Sequence, residues 1–283
     1  MRTRSETRTD MDDDLGGKVR RQGDELAGSK PLGWLARGGL LARGLVYLVI
    51  GVLALKLALG DAGRAANQQG ALQTIADRPF GKTLLILVAI GLAGYALWRL
   101  TRATVGHGAE QWDSGKDRVV AIASGIAYGI LCVTAVKILT DSIAGSETPK
   151  EATGGVLGWS GGPVLVAIAG AILIGVGAYQ GYKGLAKKFL DDAKTGEMSS
   201  GVRHGYTALG VFGHVARAVI FTLVGYGLIK AAIDYDPQEA TGLDGALRKL
   251  ADASYGPALL AVVAVGLAGF ALYSMADARY RKV

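Results

Sequence analysis

Apolar residues along the 283-residue chain gather into six blocks, separated by polar stretches rich in glycine and charge. The blocks run Gly39–Leu59, Thr83–Leu100, Val119–Leu139, Pro163–Tyr182, Val211–Ile233 and Pro257–Ala276. As a helix, each is about 27–35 Å long at about 1.5 Å per residue, which matches a hydrocarbon core about 30 Å thick. Pro163 and Pro257 open their blocks, where a missing N–H costs little. The expected fold class is therefore an all-α membrane protein with six transmembrane helices. Residues 1–33 differ in kind: they are polar, lack the apolar core and cleavage site of a signal peptide, and hold too few large apolar residues to fold alone. A disordered cytoplasmic tail is expected there.

Charge orients the spans. Most of the 31 Lys and Arg residues fall in the tail and first span start, the second-to-third connection, the fourth-to-fifth connection and the C-terminus. By the positive-inside rule those segments face the cytoplasm, so both termini are cytoplasmic. The opposite face includes the fifth connection, with Asp234, Asp236, Glu239, Asp244 and Asp252. This distribution also reinterprets the net charge of +7: no run of interleaved basic and aromatic residues suggests a nucleic-acid surface.

The six blocks form three similar pairs. With Tyr47, Tyr128 and Phe221 aligned, a lysine stands nine residues later in every copy: Lys56, Lys137 and Lys230. Four residues before the aromatic stand Arg43, Ser124 and Arg217. Gly70-Ala71-Leu72, Gly155-Val156-Leu157 and Gly245-Ala246-Leu247 follow. The second helices then align through Gly91, Gly175 and Gly266, and end in Trp98-Arg99, Tyr182-Lys183 and Tyr273-Ser274. Each copy is two helices, so all three start on the same side and the repeats are parallel. The reading is a tail at 1–33, repeats at 34–105 and 106–190, a cytoplasmic linker at 191–208, and a third repeat with a basic C-terminus at 209–283. Three helical hairpins in a pseudo-threefold arrangement are the simplest closed solution.

The pattern, especially LARGLVYLVIGVLALKLA followed by GALQTIADRPFGKTLLILVAIGLAGYALWRL, resembles the bacterial membrane family catalogued as domain of unknown function 1206. The resemblance covers about residues 36–280 as three copies. The middle copy departs most, with Ser124 for the arginine and an altered loop before its second helix. It implies a multi-pass protein of the bacterial cytoplasmic membrane, and carries over no activity, ligand or catalytic residue.

The ionisable residues of the spans are the candidates for chemistry. Lys56, Lys137 and Lys230 have two readings: a ring binding an anion at the outer mouth, or three side chains snorkelling to the outer interface. Nine residues place each lysine about 180° from its repeat's aromatic, among bulky aliphatics such as Val52, Ile130 and Leu223, which favours the lipid-facing, snorkelling reading. Asp61, Asp141 and Asp234 are expected lysine partners. The opposite face, Tyr47, Gly51, Tyr128, Phe221 and Gly225, joined by Gly91, Gly175 and Gly266, is the expected helix-packing seam. Arg43, Arg217, Arg99 and Arg102 near the cytoplasmic ends either anchor by the positive-inside rule or line a pocket for an anionic headgroup. Tyr95, Trp98, Tyr179, Tyr182, Phe270 and Tyr273 read as an aromatic belt or core. Gly70–Pro79 and Gly245–Ser254 read as short external amphipathic helices, whereas the glycine-rich Glu147–Gly162 is expected to be less helical.

No metal, cofactor or nucleophile pattern is visible. His107, His204 and His214 are scattered, Cys132 is alone within a span, and no serine sits in a GxSxG setting. The expectation is a non-enzymatic protein without cofactor, structural or accessory, packing against lipid or a partner membrane complex. Membrane lipids are its expected partners, with a membrane-protein partner or a homo-oligomer open. The alternative is a small transporter or channel for an anionic solute or lipid using the lysine ring.

Overall fold

The computed structural model describes residues 30–61, 63–105, 115–140 and 149–282; residues 1–29 of the expected tail, Asp141 and His107 lie outside them, whereas residues 30–33 of that tail are helical. Six long helices carry the apolar blocks: α1 (Lys30–Ala58), α3 (Gly81–Val105), α4 (Gly115–Leu139), α6 (Gly162–Leu185), α7 (Ser200–Ile233) and α9 (Gly256–Tyr280). Each is long and apolar enough to cross a membrane. The first and last begin and end on one side of the bundle, the termini end. At the opposite end each hairpin carries a nine-residue cap helix: α2 (Gln68–Ala76), α5 (Pro149–Leu157) and α8 (Leu243–Ala251).

The three caps are one device used three times. Leu72, Leu157 and Leu247, aligned in sequence, are all buried beneath them. Each cap runs into the next span through one tight turn, with Phe80, Gly161 and Tyr255 at positive φ. The glycine that follows in each, Gly81, Gly162 and Gly256, lies so close to carbonyls of its cap that any Cβ would collide with them. The middle cap is a correction to the sequence reading: despite Gly154 and Gly155, residues 149–157 form the same helix as the others. A second difference is that α7 starts at Ser200, inside the expected linker. Its added turns are held where Tyr206 packs into a cluster with Phe189, Phe270 and Tyr273.

The spans are ordered around the bundle as they are along the chain. Extended interfaces join α1 to α3, α3 to α4, α6 to α7, α7 to α9 and α9 to α1. Small residues set the close approaches at equivalent places: Gly51 against Ala264 and Ala268 of α9, Gly225 against Gly170 of α6, and Cys132 donating to the Ala89 carbonyl of α3 at 3.5 Å. The hairpins of the first and third repeats close alike. A Cβ on Gly91 would meet the Gly38 carbonyl at 2.9 Å and Ala42 Cβ at 3.0 Å, and one on Gly266 would meet Ala216 Cβ at 2.5 Å. Ala42 and Ala216 occupy equivalent positions.

The middle hairpin does not close. Among the described residues α4 and α6 share no extended interface, although the equivalent pair, Ala123 and Gly175, is present. Ala123 is exposed, and a Cβ on Gly175 would meet nothing within 4 Å. Gly175, expected on the packing seam, is therefore not part of it, because α6 turns Gly170 and Gly177 toward α7 instead. The pseudo-threefold ring is open at one of its six joints, and α4 and α6 are the two least buried spans.

Candidate functional site

The three lysines stand near the cap end of their helices, and Lys56 and Lys230 engage their own repeats. Lys56 donates to Asp61 Oδ2 at 3.1 Å; Lys230 donates to Glu239 Oε1 at 2.6 Å and reaches Asp234 Oδ2 at 3.7 Å. Lys137 is exposed on α4. Glu239, held also by Lys249 at 2.7 Å, has its carboxyl pulled down to about 2 by these two hydrogen-bonding ammonium groups. Lys56 borders a shallow recess of about 280 Å³ with Asp61, Arg64 and Asp77, where Arg64 pairs with Asp77 at 2.6 Å. The described ion pairs do not join one lysine's surroundings to another's.

The termini end is different. Arg43, 6% exposed, sends Nε to Ser274 Oγ at 3.1 Å, one Nη to the Tyr95 hydroxyl at 3.4 Å and the other toward Asp277 Oδ2 at 3.6 Å. Asp277 is 0% exposed and is the hub of a network: it accepts from Tyr206 at 2.9 Å and from Arg281 at 2.8 Å. Arg281 in turn reaches Asp192 at 3.5 Å, and Asp192 accepts from Lys183 at 2.9 Å. Burial would raise the Asp192 carboxyl, but Lys183 and Arg281 outweigh it and hold it below the usual carboxylate range. Burial likewise opposes the charge on Arg281, yet Asp277, Tyr95 and Asp192 keep it firmly protonated. Main-chain bonds from Lys194 to Tyr280 and from Lys282 to Asp192 close the same knot.

Arg99 shares this region, donating to the Tyr95 hydroxyl at 3.2 Å and lying over Tyr95 and Trp98. Tyr95, Trp98, Phe270 and Tyr273 are buried, so in the first and third repeats the aromatics are core; only Tyr179 and Tyr182 of the middle repeat are exposed. Tyr47 meets Phe270 edge-on at 4.9 Å, and Tyr128 meets Tyr95 at 4.6 Å. His214 stacks on Phe189 at 5.2 Å and sits against Phe270 and Tyr273, a packed core histidine.

Arg217 occupies the position in repeat three that Arg43 holds in repeat one, but its surroundings have changed. The residues equivalent to Tyr95, Ser274 and Asp277 are Phe270, Lys183 and Ala186, so every oxygen that Arg43 uses is missing. Rings replace them: the guanidinium carbon lies 4.4 Å from the Phe270 centroid, 5.4 Å from Tyr47 and 5.3 Å from Phe221. With the Gln180 carboxamide oriented oxygen-first, it accepts from the two Nη atoms at 2.8 and 3.2 Å. Among the described residues the buried Nε has no hydrogen-bond partner. Arg217 borders a cavity of about 190 Å³ walled by Leu173, Phe221, Val224, Leu243 and Leu267.

Asp277, Asp192 and Arg281 were not among the sequence candidates. Asp277 falls one residue beyond the sixth apolar block, and the signal that could have found it is the register itself, with an acid at a place where repeat one has Arg102.

Six long apolar helices in three repeated hairpins define an integral membrane protein. The family described as Domain of Unknown Function (DUF1206) matches three times, at residues 38–106, 119–187 and 212–281, and the chain belongs to that family. It is 33% identical over 254 residues to the uncharacterized protein YxxB of Bacillus subtilis (strain 168), covering 88% of this chain and 92% of that one. No solved structure matches the chain.

Proposed function

We propose that this chain is a non-enzymatic accessory protein of the bacterial cytoplasmic membrane, with both termini cytoplasmic, that packs against lipid or a partner membrane complex and does not conduct solutes. The Asp277 hub carries this reading. The buried carboxylate at the termini end ties together Arg43 of α1, Tyr206 of α7 and Arg281 beyond α9, and through Asp192 it reaches α6. Those charges fasten helices to one another, a role suited to a scaffold. The lysines support it too, since Lys56 and Lys230 pair locally with Asp61 and Glu239 instead of converging. The test is efflux of chloride and phosphate from liposomes holding the purified protein. Rates equal to empty liposomes are expected. Efflux above that level, abolished when Lys56, Lys137 and Lys230 are all replaced by Met, would overturn the reading in favour of anion transport.

A further inference from the structure

Arg217 is a half-buried cation that the scaffold reading leaves unexplained. It sits 16 residues before the end of α7, about 24 Å below the cap end at about 1.5 Å per residue. Toward the termini end, this half-buried guanidinium still calls for hydrogen bonds, and rings with one amide answer only part of that requirement. From Arg217 the cavity runs toward the caps past Ile220, Phe221 and Val224, and ends at Gln68 and Leu243, the first residues of α2 and α8. One end is thus cationic and the length is apolar. Its volume of about 190 Å³ is below the roughly 300–1,000 Å³ of sites that enclose a whole small molecule, so it takes a head and part of one chain.

The open joint of the ring supplies the way in. Ala42 with Gly91 and Ala216 with Gly266 shut the other two hairpins, while Ala123 and Gly175 stand apart between α4 and α6. The cavity borrows Leu173 from α6 and no wall from α4. That joint is the side route by which a membrane-borne molecule would enter without crossing the bundle.

We infer that Arg217 and the apolar cavity beside it form a binding site for an anionic single-chain amphiphile, its carboxylate or phosphate head on the guanidinium and its chain directed toward the caps. A guanidinium fork suits either head. A small inorganic anion is a poorer fit, because the remaining walls would strip its water and return no hydrogen bonds.

The test uses full-length, delipidated protein in an uncharged maltoside detergent, titrated with the fluorescent fatty acid cis-parinarate. Saturable binding is expected, weakened at least tenfold by Arg217→Gln and partly restored by Arg217→Lys. Val224→Trp, which keeps the charge and fills the cavity, is expected to abolish binding and decides the matter alone should Arg217→Gln not fold. Competition identifies the head: displacement by oleate marks a carboxylate, and displacement by dodecyl phosphate marks a phosphate. Absence of saturable binding to folded wild type, equal affinity in the Val224→Trp variant, or equal displacement by uncharged dodecanol would overturn the inference. The scaffold reading stands or falls separately, on the efflux measurement.

Discussion

Arg43 and Arg217 are the same residue in the same place of two repeats, and they have become different things. Around Arg43, Ser274, Tyr95 and Asp277 provide an acceptor on nearly every side, and the cation becomes a fastener between α1, α3 and α9. Around Arg217 the register offers Lys183, Phe270 and Ala186, and Lys183 is itself drawn away to Asp192. The cation is left with rings, one amide and a cavity. The repeat places one arginine in two hairpins; its neighbours decide which is structural and which is available. The same contrast holds for the hairpins, since the small residues that lock repeats one and three are present in the middle repeat but unused.

The sharpest way to break the comparison is at its hub. Asp277→Asn leaves Arg43 and Arg281 facing each other without their carboxylate, at an expected cost of about 3–5 kcal/mol. Thermal unfolding in detergent reads this as a large fall in midpoint, and a midpoint near wild type would deny the network its structural role. Next come the hairpin glycines. Gly91→Val and Gly266→Val force side chains into occupied space and should each cost about 1–3 kcal/mol, whereas Gly175→Val, in open space, should stay within about 0.5 kcal/mol. Equal losses at all three would mean that the middle hairpin closes like the others.

Smaller still is the pH effect at Asp192. Its folded carboxyl titrates below the unfolded value of about 3.9. The stabilisation is therefore complete above that value and disappears as pH falls through the lowered one. The difference in unfolding midpoint between wild type and Asp192→Asn should be constant near neutrality and shrink as the solution is taken below about pH 4. A difference that grows with acidification would reverse the assignment. Least of all, Lys56→Met should shift the midpoint by no more than the effect of one exposed ion pair, about 0–1 kcal/mol; a larger loss would mean that Lys56 does more than snorkel.

The repeat register made much of this legible in advance. Block length and period gave the six spans, and the aligned copies placed Arg43 and Arg217 at equivalent positions. Three things stayed hidden for physical reasons. The open joint could not be read because Ala123 and Gly175 are the same residue types that close the other hairpins; what differs is tertiary packing. The Asp277 network links positions 43, 192, 206, 277 and 281, a convergence that no local spacing encodes. The middle cap was obscured by Gly154 and Gly155, whose low helix propensity is overridden by burial of Thr153 and Leu157 and by the turn into Gly162.

The split between the two arginines is tested most directly by comparing Arg43→Gln with Arg217→Gln in the delipidated protein, by thermal unfolding under one set of conditions. Loss of the charged hydrogen bonds of Arg43 should cost about 2 kcal/mol. Removal of Arg217, which relieves a cation short of partners, should leave the midpoint unchanged or raise it. Equal losses from the two substitutions would contradict the division, and would make Arg217 a fastener like its counterpart.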